Sequence, residues 1–246
     1  MVLAGLDDAE LARRLAQTAG QLLVVARDAD LVDGKALGAM GDVVAHHFLV
    51  HALGACRPDD AVLSEEAAAD PARLTRSRVW IVDPLDGTRE YSERRADWAV
   101  HVALTIDGVA VIGAVSQPDL GVTYAMDCPP PPASPEPGLR IVVSRTRPPA
   151  EAEKIAQALG AELIGMGSAG AKTMAVVRGE ADAYVHSGGQ YEWDSAAPVA
   201  VAKAAGLHVS RLDGSPLVYN RRDPYLPDLL VCRRDLAERL LAALKA

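Results

Sequence analysis

The stretch that most constrains this chain is residues 79–88, VWIVDPLDGT, where an apolar run meets two carboxylates, a proline and an Asp-Gly pair. An uninterrupted run of Val, Trp and Ile reads as a strand buried on both faces. Such a strand needs a sheet with further layers on either side. The composition is suited to that demand: half of the residues are hydrophobic but only 4% are aromatic, so small aliphatic side chains on helices and strands must fill the core. This is the pattern of a layered α/β (α+β) protein. With 246 residues the chain can form one large domain or two lobes sharing an interface.

Upstream, Leu11, Leu15, Leu22 and Ala26 recur at helical spacing behind Asp7, a residue able to cap a first turn, and predict an amphipathic helix over residues 7–26. A second helical pattern starts near Asp42 and carries Val44, Phe48 and Leu53 on one side. Residues 61–63 read as a short buried strand. Further on, Trp98, Val100, Val102, Leu104 and Ile106 alternate strictly before Asp107-Gly108 and a new apolar run from Val109, which predicts an antiparallel hairpin. Residues 120–126 are a candidate further strand.

Residues 129–138, PPPPASPEPG, hold too many prolines for a helix or a central strand and mark a connection. The expected division falls there: residues 1–138 form an N-terminal α+β lobe with the carboxylate-bearing strand ends. Residues 139–246 form a C-terminal α/β lobe that completes the same structural unit. In the second lobe a strand near 140–144, a helix over 150–159 closed by Gly160, a strand near Leu163 and a helix from Ser168 alternate. A strand over 181–186, a helix from Asp194, strands near Val209 and over 229–232, and a C-terminal helix follow, the order of a mixed or parallel sheet covered by helices.

The net charge is -8, and no stretch concentrates Lys and Arg, which excludes broad attraction to nucleic acid or to an anionic membrane. No signal-type segment opens the chain and no apolar run reaches bilayer length, so a cytoplasmic protein is expected. Cys56, Cys128 and Cys232 lie far apart without metal-ligand spacing and read as buried thiols. An anionic substrate would need a local inversion of charge.

Asp83 and Asp86, three apart at a strand end with Pro84 constraining the turn, can converge with the Leu85 carbonyl on one point. Hard oxygen donors of this kind suit Mg²⁺, and Gly87 and Thr88 offer backbone N–H groups to a phosphate. The alternative is a proline turn with solvated carboxylates. Glu65 and Glu66 follow another short strand in LSEE, and Asp194 follows Glu192-Trp193 at a helix head. Taken singly, Glu65 reads as a solvated carboxylate and Asp194 as a helix N-cap. His47 and His51 stand one helical turn apart without HExxH or a third ligand nearby and read as ordinary, partly buried histidines. His186 and Tyr191 are candidate pocket residues on no spacing argument.

LSEE, WIVDPLDGT with EYSE, GSAGAK and EWDSAAP occur in the order and at spacings similar to those of the inositol monophosphatase family, and the likeness spans nearly the whole chain. Within the family the chain most resembles the CysQ type, phosphatases that remove the 3′-phosphate of 3′-phosphoadenosine 5′-phosphate. The resemblance implies a layered α-β-α-β-α sandwich and a phosphoric monoester hydrolase of sulfate assimilation, inhibited by lithium and usually dimeric. It also implies that Glu65, Asp83, the Leu85 carbonyl, Asp86 and Asp194 bind two or three Mg²⁺. Glu65 and the Thr88 hydroxyl would orient or deprotonate a water, while the Gly87 and Thr88 amides steady the phosphoryl oxygens.

Arg89-Glu90-Tyr91 resembles the CysQ type after DGT, where inositol monophosphatases usually show Thr-Asn-Phe. Ser168 and Lys172, four apart at a helix start, are candidates, with the free amides there, for a second phosphate; a solvated helix lysine is the alternative for Lys172. One stretch departs from the family: Leu37-Gly38-Ala39-Met40-Gly41 stands where relatives place a Thr, although Asp42 remains to support a water of a further metal. Inositol 1-phosphate, fructose 1,6-bisphosphate and the sulfated precursor of the nucleotide are the alternative substrates. Two rival readings differ in class. A haloacid-dehalogenase-type phosphatase would use DxDGT, one residue shorter than the DxxDGT here, and a silent metal- and phosphate-binding module would not need both Glu65 and Thr88.

Overall fold

The computed structural model describes residues 5–126 and 138–245. Helix α1 (Asp8–Asp28) starts where Asp7 accepts a hydrogen bond from the Glu10 amide at 2.8 Å, and it buries Leu11, Leu15, Ala19 and Leu23 along one face. Helix α2 (Gly34–Cys56) begins at Gly34 rather than near Asp42. The added turns contain Gly38 and Gly41, which disfavour a helix on local grounds. Tertiary packing explains them, since a Cβ on Gly41 would stand 2.9 Å from the Leu85 side chain and 3.0 Å from the Tyr91 ring. By length and composition alone α2, with Lys35 and Asp42 within it, is long and apolar enough to cross a bilayer. Here its Leu37, Ala45, Leu49 and Leu53 are buried in the core.

The first sheet contains β1 (Ala61–Ser64), β2 (Arg78–Asp86), β3 (Ala99–Ile106), β4 (Val109–Gln117) and β5 (Val122–Ala125), paired in chain order. β1 runs parallel to β2, and the later pairs are antiparallel. The β3–β4 turn is Asp107-Gly108, with φ of 49° and 78°, as a tight hairpin turn requires. A short helix, α3 (Thr88–Ser92), follows β2.

The second sheet contains β6 (Arg140–Ser144), β7 (Glu162–Met166), β8 (Ala183–Tyr191), β9 (His208–Ser210) and β10 (Tyr225–Cys232), in the order β7-β6-β8-β10-β9. Its helices are α4 (Ala150–Leu159), ended by Gly160 at φ 66°, α5 (Ala169–Val177), α6 (Glu192–Ala204) and α7 (Ala237–Lys245). α6 thus starts two residues before Asp194, and β8 continues past His186. Of the predicted connection at residues 129–138, residues 129–137 lie outside the described residues, as does Cys128. Cys232 is buried and Cys56 half-buried, both as free thiols.

Side-chain alternation in the strands sorts these elements into layers. Trp80, Val82, Val100, Val102 and Leu104 pack against α1 and α2. Val79, Ile81, Ala103 and Val115, on the opposite face, share a core with α5, α6 and the inner face of the second sheet, through Val142, Tyr184, Leu229 and Val231. The outer face of that sheet, with Ile141, Val143 and Leu230, is covered by Ile155 of α4 and Leu240 of α7. The result is an α-β-α-β-α sandwich whose middle helices are buried on nearly every side. Small residues permit this, and a Cβ on Gly113 of β4 would fall 2.4 Å from the Ala197 carbonyl oxygen of α6.

Candidate active site

Three chain segments deliver acids to one end of the first sheet. β1 stops at Ser64, and the Glu65 amide then donates to the Val82 carbonyl at 3.4 Å, which holds Glu65 beside the end of β2. The β2–β3 ladder is irregular between Asp83 and Asp86, where Pro84 offers no donor. Asp83 Oδ1 accepts from the Leu85 amide at 3.1 Å, which tightens the turn. Asp194 stands in the first turn of α6, with Oδ2 accepting from the Tyr191 amide at 2.7 Å, so it caps its helix from inside rather than from the N-cap position. Asp83, Asp86 and Asp194 each place a carboxylate oxygen within 4.8 Å of the other two.

The electrostatics of this cluster call for a cation. Burial, and then the charges of Glu65, Asp86 and Asp194, push Asp83 well above the usual carboxylate range. Glu65 is exposed as a residue, but its carboxyl is hydrogen-bonded to Asp83; crowding by protein and the charge of Asp194 raise it to about 8. Burial and Asp86 raise Asp194 to about 7. No basic side chain forms an ion pair with Asp83, Glu65 or Asp194 among the described residues. An all-oxygen donor set of this kind fits a hard divalent cation.

Asp86 differs from its neighbours. Burial alone would raise it, but His101, Lys172 and Ser168 hold it at about 2. Its Oδ2 accepts from Ser168 Oγ and, at 2.6 Å, from the Gly170 amide, and its Oδ1 accepts from the Ala169 amide at 3.1 Å. The Ala171 amide donates to Ser168 Oγ at 2.9 Å. The start of α5 is therefore occupied by a carboxylate from β2, which corrects the expectation of free amides there for a second phosphate.

His101 was not singled out from the sequence. It is fully buried, with Nε2 3.2 Å from Asp86 Oδ2 in an ion pair that is not aligned as a hydrogen bond, and Nδ1 3.1 Å from the Trp193 carbonyl. The signal was present: in WAVHVALTI this histidine falls on the strand face opposite Trp98, Val100 and Val102. Gly170 makes room for it, because a Cβ there would come 2.1 Å from His101 Nε2.

Thr88 opens α3, with Oγ1 donating to the Leu85 carbonyl at 3.0 Å and to Asp42 Oδ1 at 3.2 Å. Burial, and then Glu66, raise Asp42 to about 6. Gly87 has φ 89°, and a Cβ there would press on Ser168, the Asp97 carbonyl and Glu90. Of Arg89-Glu90-Tyr91 only Arg89 is exposed. Glu90 accepts from Arg145 Nε at 2.7 Å, while Tyr91 donates from its hydroxyl to the Leu23 carbonyl at 2.7 Å and packs edge-on against Trp98.

A cavity of about 510 Å³ opens from Asp86 and Asp194 toward Arg89, Arg147, Lys172 and His186. The guanidinium groups of Arg89 and Arg147 face no ion-pair partner among the described residues. Lys172 is 5% exposed, donates to the Ser168 carbonyl at 2.6 Å and lies 5.2 Å from the Tyr184 ring centre, so it is not a solvated helix lysine. His186 lines the cavity; Tyr191 lies outside its lining and stacks on Trp193 instead. His47 and His51 are exposed rather than partly buried and stack on each other at 6.2 Å.

Residues 8–246 match the model of the inositol monophosphatase family. A Mycobacterium leprae protein called 3′-phosphoadenosine 5′-phosphate phosphatase is 52% identical, over 98% of this chain and 95% of its own. A Mycobacterium bovis protein of the same name is 56% identical, over 85% of this chain and 82% of its own. Among solved structures, CysQ from Bacteroides thetaiotaomicron superposes with a TM-score of 0.79 at 28% identity, covering 92% of this chain and 97% of that one.

Proposed function

The chain belongs to the inositol monophosphatase family, and from that premise we propose that it is a cytoplasmic Mg²⁺-dependent phosphomonoesterase that converts 3′-phosphoadenosine 5′-phosphate to AMP and phosphate. The observation that carries this reading is the polarity of one cavity. Its acidic end, at Asp86 and Asp194, fits cations and a scissile phosphate; Arg89 and Arg147, without an ion-pair partner among the described residues, fit with Lys172 a second anionic group on the same small molecule. A monophosphate such as inositol 1-phosphate would leave that second group of cations unanswered.

Two or three Mg²⁺ held by Asp83, Asp86, Asp194, Glu65 and the Leu85 carbonyl would supply positive charge to the phosphate and a water acidified toward neutrality. Backbone amides and side chains do the rest. The amides of Gly87 and Thr88 steady the phosphoryl oxygens. Thr88 Oγ1, already hydrogen-bonded to Asp42, orients the attacking water and passes its proton to a carboxylate held near 6. Glu65 is a second acceptor for that proton. A phosphoaspartate on Asp83 does not fit, because Glu65, Asp86 and Asp194 surround that carboxyl with negative charge.

The test compares kcat/KM for 3′-phosphoadenosine 5′-phosphate, its sulfated precursor, inositol 1-phosphate and fructose 1,6-bisphosphate, each with Mg²⁺ and with EDTA. The bisphosphorylated nucleotide should lead, and EDTA or Li⁺ should suppress release. A higher value for inositol 1-phosphate would refute the substrate, and EDTA-resistant release would refute the cation site.

A further inference from the structure

The first turn of α6 must present Asp194 to Asp83 and Asp86, yet its tie to its own helix is weakened. Pro198 has no N–H to close on the Asp194 carbonyl, and its ring crowds that oxygen. Asp86, with a carboxylate oxygen within 4.8 Å, also repels the Asp194 carboxylate. Something outside the helix has to hold the turn.

That restraint runs through Glu192, the first residue of α6, which is 1% exposed. Its Oε2 accepts from the Asn220 amide at 2.7 Å and its Oε1 from the Arg221 amide at 2.8 Å. Asn220, in the left-handed region at φ 57°, accepts at Oδ1 from Arg73 Nη1 at 2.6 Å and donates from Nδ2 to the Arg73 carbonyl at 3.1 Å. Arg73, 2% exposed, also donates from Nη2 to the Arg221 carbonyl at 2.7 Å. It belongs to the segment joining β1, which leads into Glu65, to β2, which carries Asp83 and Asp86. One buried network thus fastens the head of α6 to the connection between the two acid-bearing strands.

We propose that Glu192 is a positioning residue for the cation site, fixing the first turn of α6 through Asn220 and Arg73 so that Asp194 stands at ligand distance before a cation arrives. The proposal rests on reading the carboxylate cluster as a divalent-cation site. Its physical content is preorganisation: two charge-assisted hydrogen bonds to a buried carboxylate resist the outward relaxation that like charges would otherwise cause in the metal-free enzyme.

The test titrates Mn²⁺ into metal-free enzyme and follows unbound Mn²⁺ by electron paramagnetic resonance, with no turnover involved. Glu192→Gln should weaken binding about tenfold or more, the usual scale for a partner one step behind a ligand. Asn220→Gly keeps the backbone conformation and the amide to Glu192 but removes both side-chain bonds to Arg73, leaving Arg73 only its bonds to the Arg221 and Arg222 carbonyls, and should weaken binding by a smaller factor. Leu240→Ala, in the outer α4–α7 layer, should lower Tm and leave affinity unchanged. Wild-type affinity in folded Glu192→Gln, or an equal loss in Leu240→Ala, would overturn the proposal. If Glu192→Gln does not fold, unchanged affinity in Asn220→Gly overturns it. Wild-type enzyme that binds no Mn²⁺ would instead bring down the cation-site reading itself.

Discussion

Asp86 and Asp194 belong to one carboxylate cluster, yet their neutralisation should change metal-free stability in opposite directions. Unit charges 4.8 Å apart repel by about 3.5 kcal/mol at an effective dielectric of about 20. Asp194 is partly solvated, which reduces the relief from Asp194→Asn to roughly 2 kcal/mol. Its one hydrogen bond, from the Tyr191 amide, survives in the amide variant. Asp86→Asn gains similar relief but loses more. An NH₂ group would replace one oxygen, and if it faces the Ala169 amide it strands a buried donor, at about 1–3 kcal/mol; the bonds from Ser168 and Gly170 weaken by about 1 kcal/mol each as the acceptor loses its charge. The net is a destabilisation of at least roughly 2 kcal/mol, because the attraction of His101 and Lys172 to the carboxylate is lost as well. The variants should therefore differ by at least about 4 kcal/mol, or about 8–16 °C in Tm for a chain of this size. Thermal unfolding in EDTA at pH 8 measures this directly. Shifts of the same sign in both variants would refute the assignment of Asp86 as an anchored carboxylate among repelling ones.

Asp83, Glu65 and Asp194 have raised carboxyl pKa values in the metal-free fold, so the folded state binds more protons than the unfolded chain between about pH 4 and pH 8, and stability should fall as pH rises through that window. In EDTA, Tm should drop from pH 5 to pH 8 while the stabilisation by added Mg²⁺ grows; a rising Tm in EDTA contradicts this. Thr88→Ala should lower kcat by about 10²–10⁴ with Mn²⁺ affinity kept, and Thr88→Ser should recover most of it; equal activity in all three proteins removes Thr88 from proton handling. Gly170→Ala drives a methyl into His101 and should cost about 1–3 kcal/mol by overpacking; differential scanning calorimetry that finds a wild-type Tm would disprove that contact.

What could be read in the sequence was local. The apolar run into DPLDGT, the Asp107-Gly108 turn and the Gly160 stop each declare themselves within a few residues, because strand burial, a tight turn and a helix end are short-range requirements. The early start of α2 was hidden because Gly38 and Gly41 look like helix breakers until Thr88, Leu85 and Tyr91 are packed against them. The occupation of the α5 amides by Asp86 was hidden for a similar reason: a helix start appears vacant until a residue distant in the chain is known to dock there. Glu192 and Arg73 gave no warning, since a buried acid and a buried base far apart in sequence announce their pairing only through the loop residues between them.

The middle layer of the sandwich has a consequence for how such a catalyst can be taken apart. α5 and α6 touch both sheets, and each brings its leading end to acids rooted in the first. A proteolytic nick in the stretch between the sheets would leave one fragment with three of the carboxylates proposed to hold the cations, Glu65, Asp83 and Asp86, and the other with the fourth, Asp194. Neither piece alone should sequester Mn²⁺, and mixing them should restore uptake only to the extent that the interface between them re-forms.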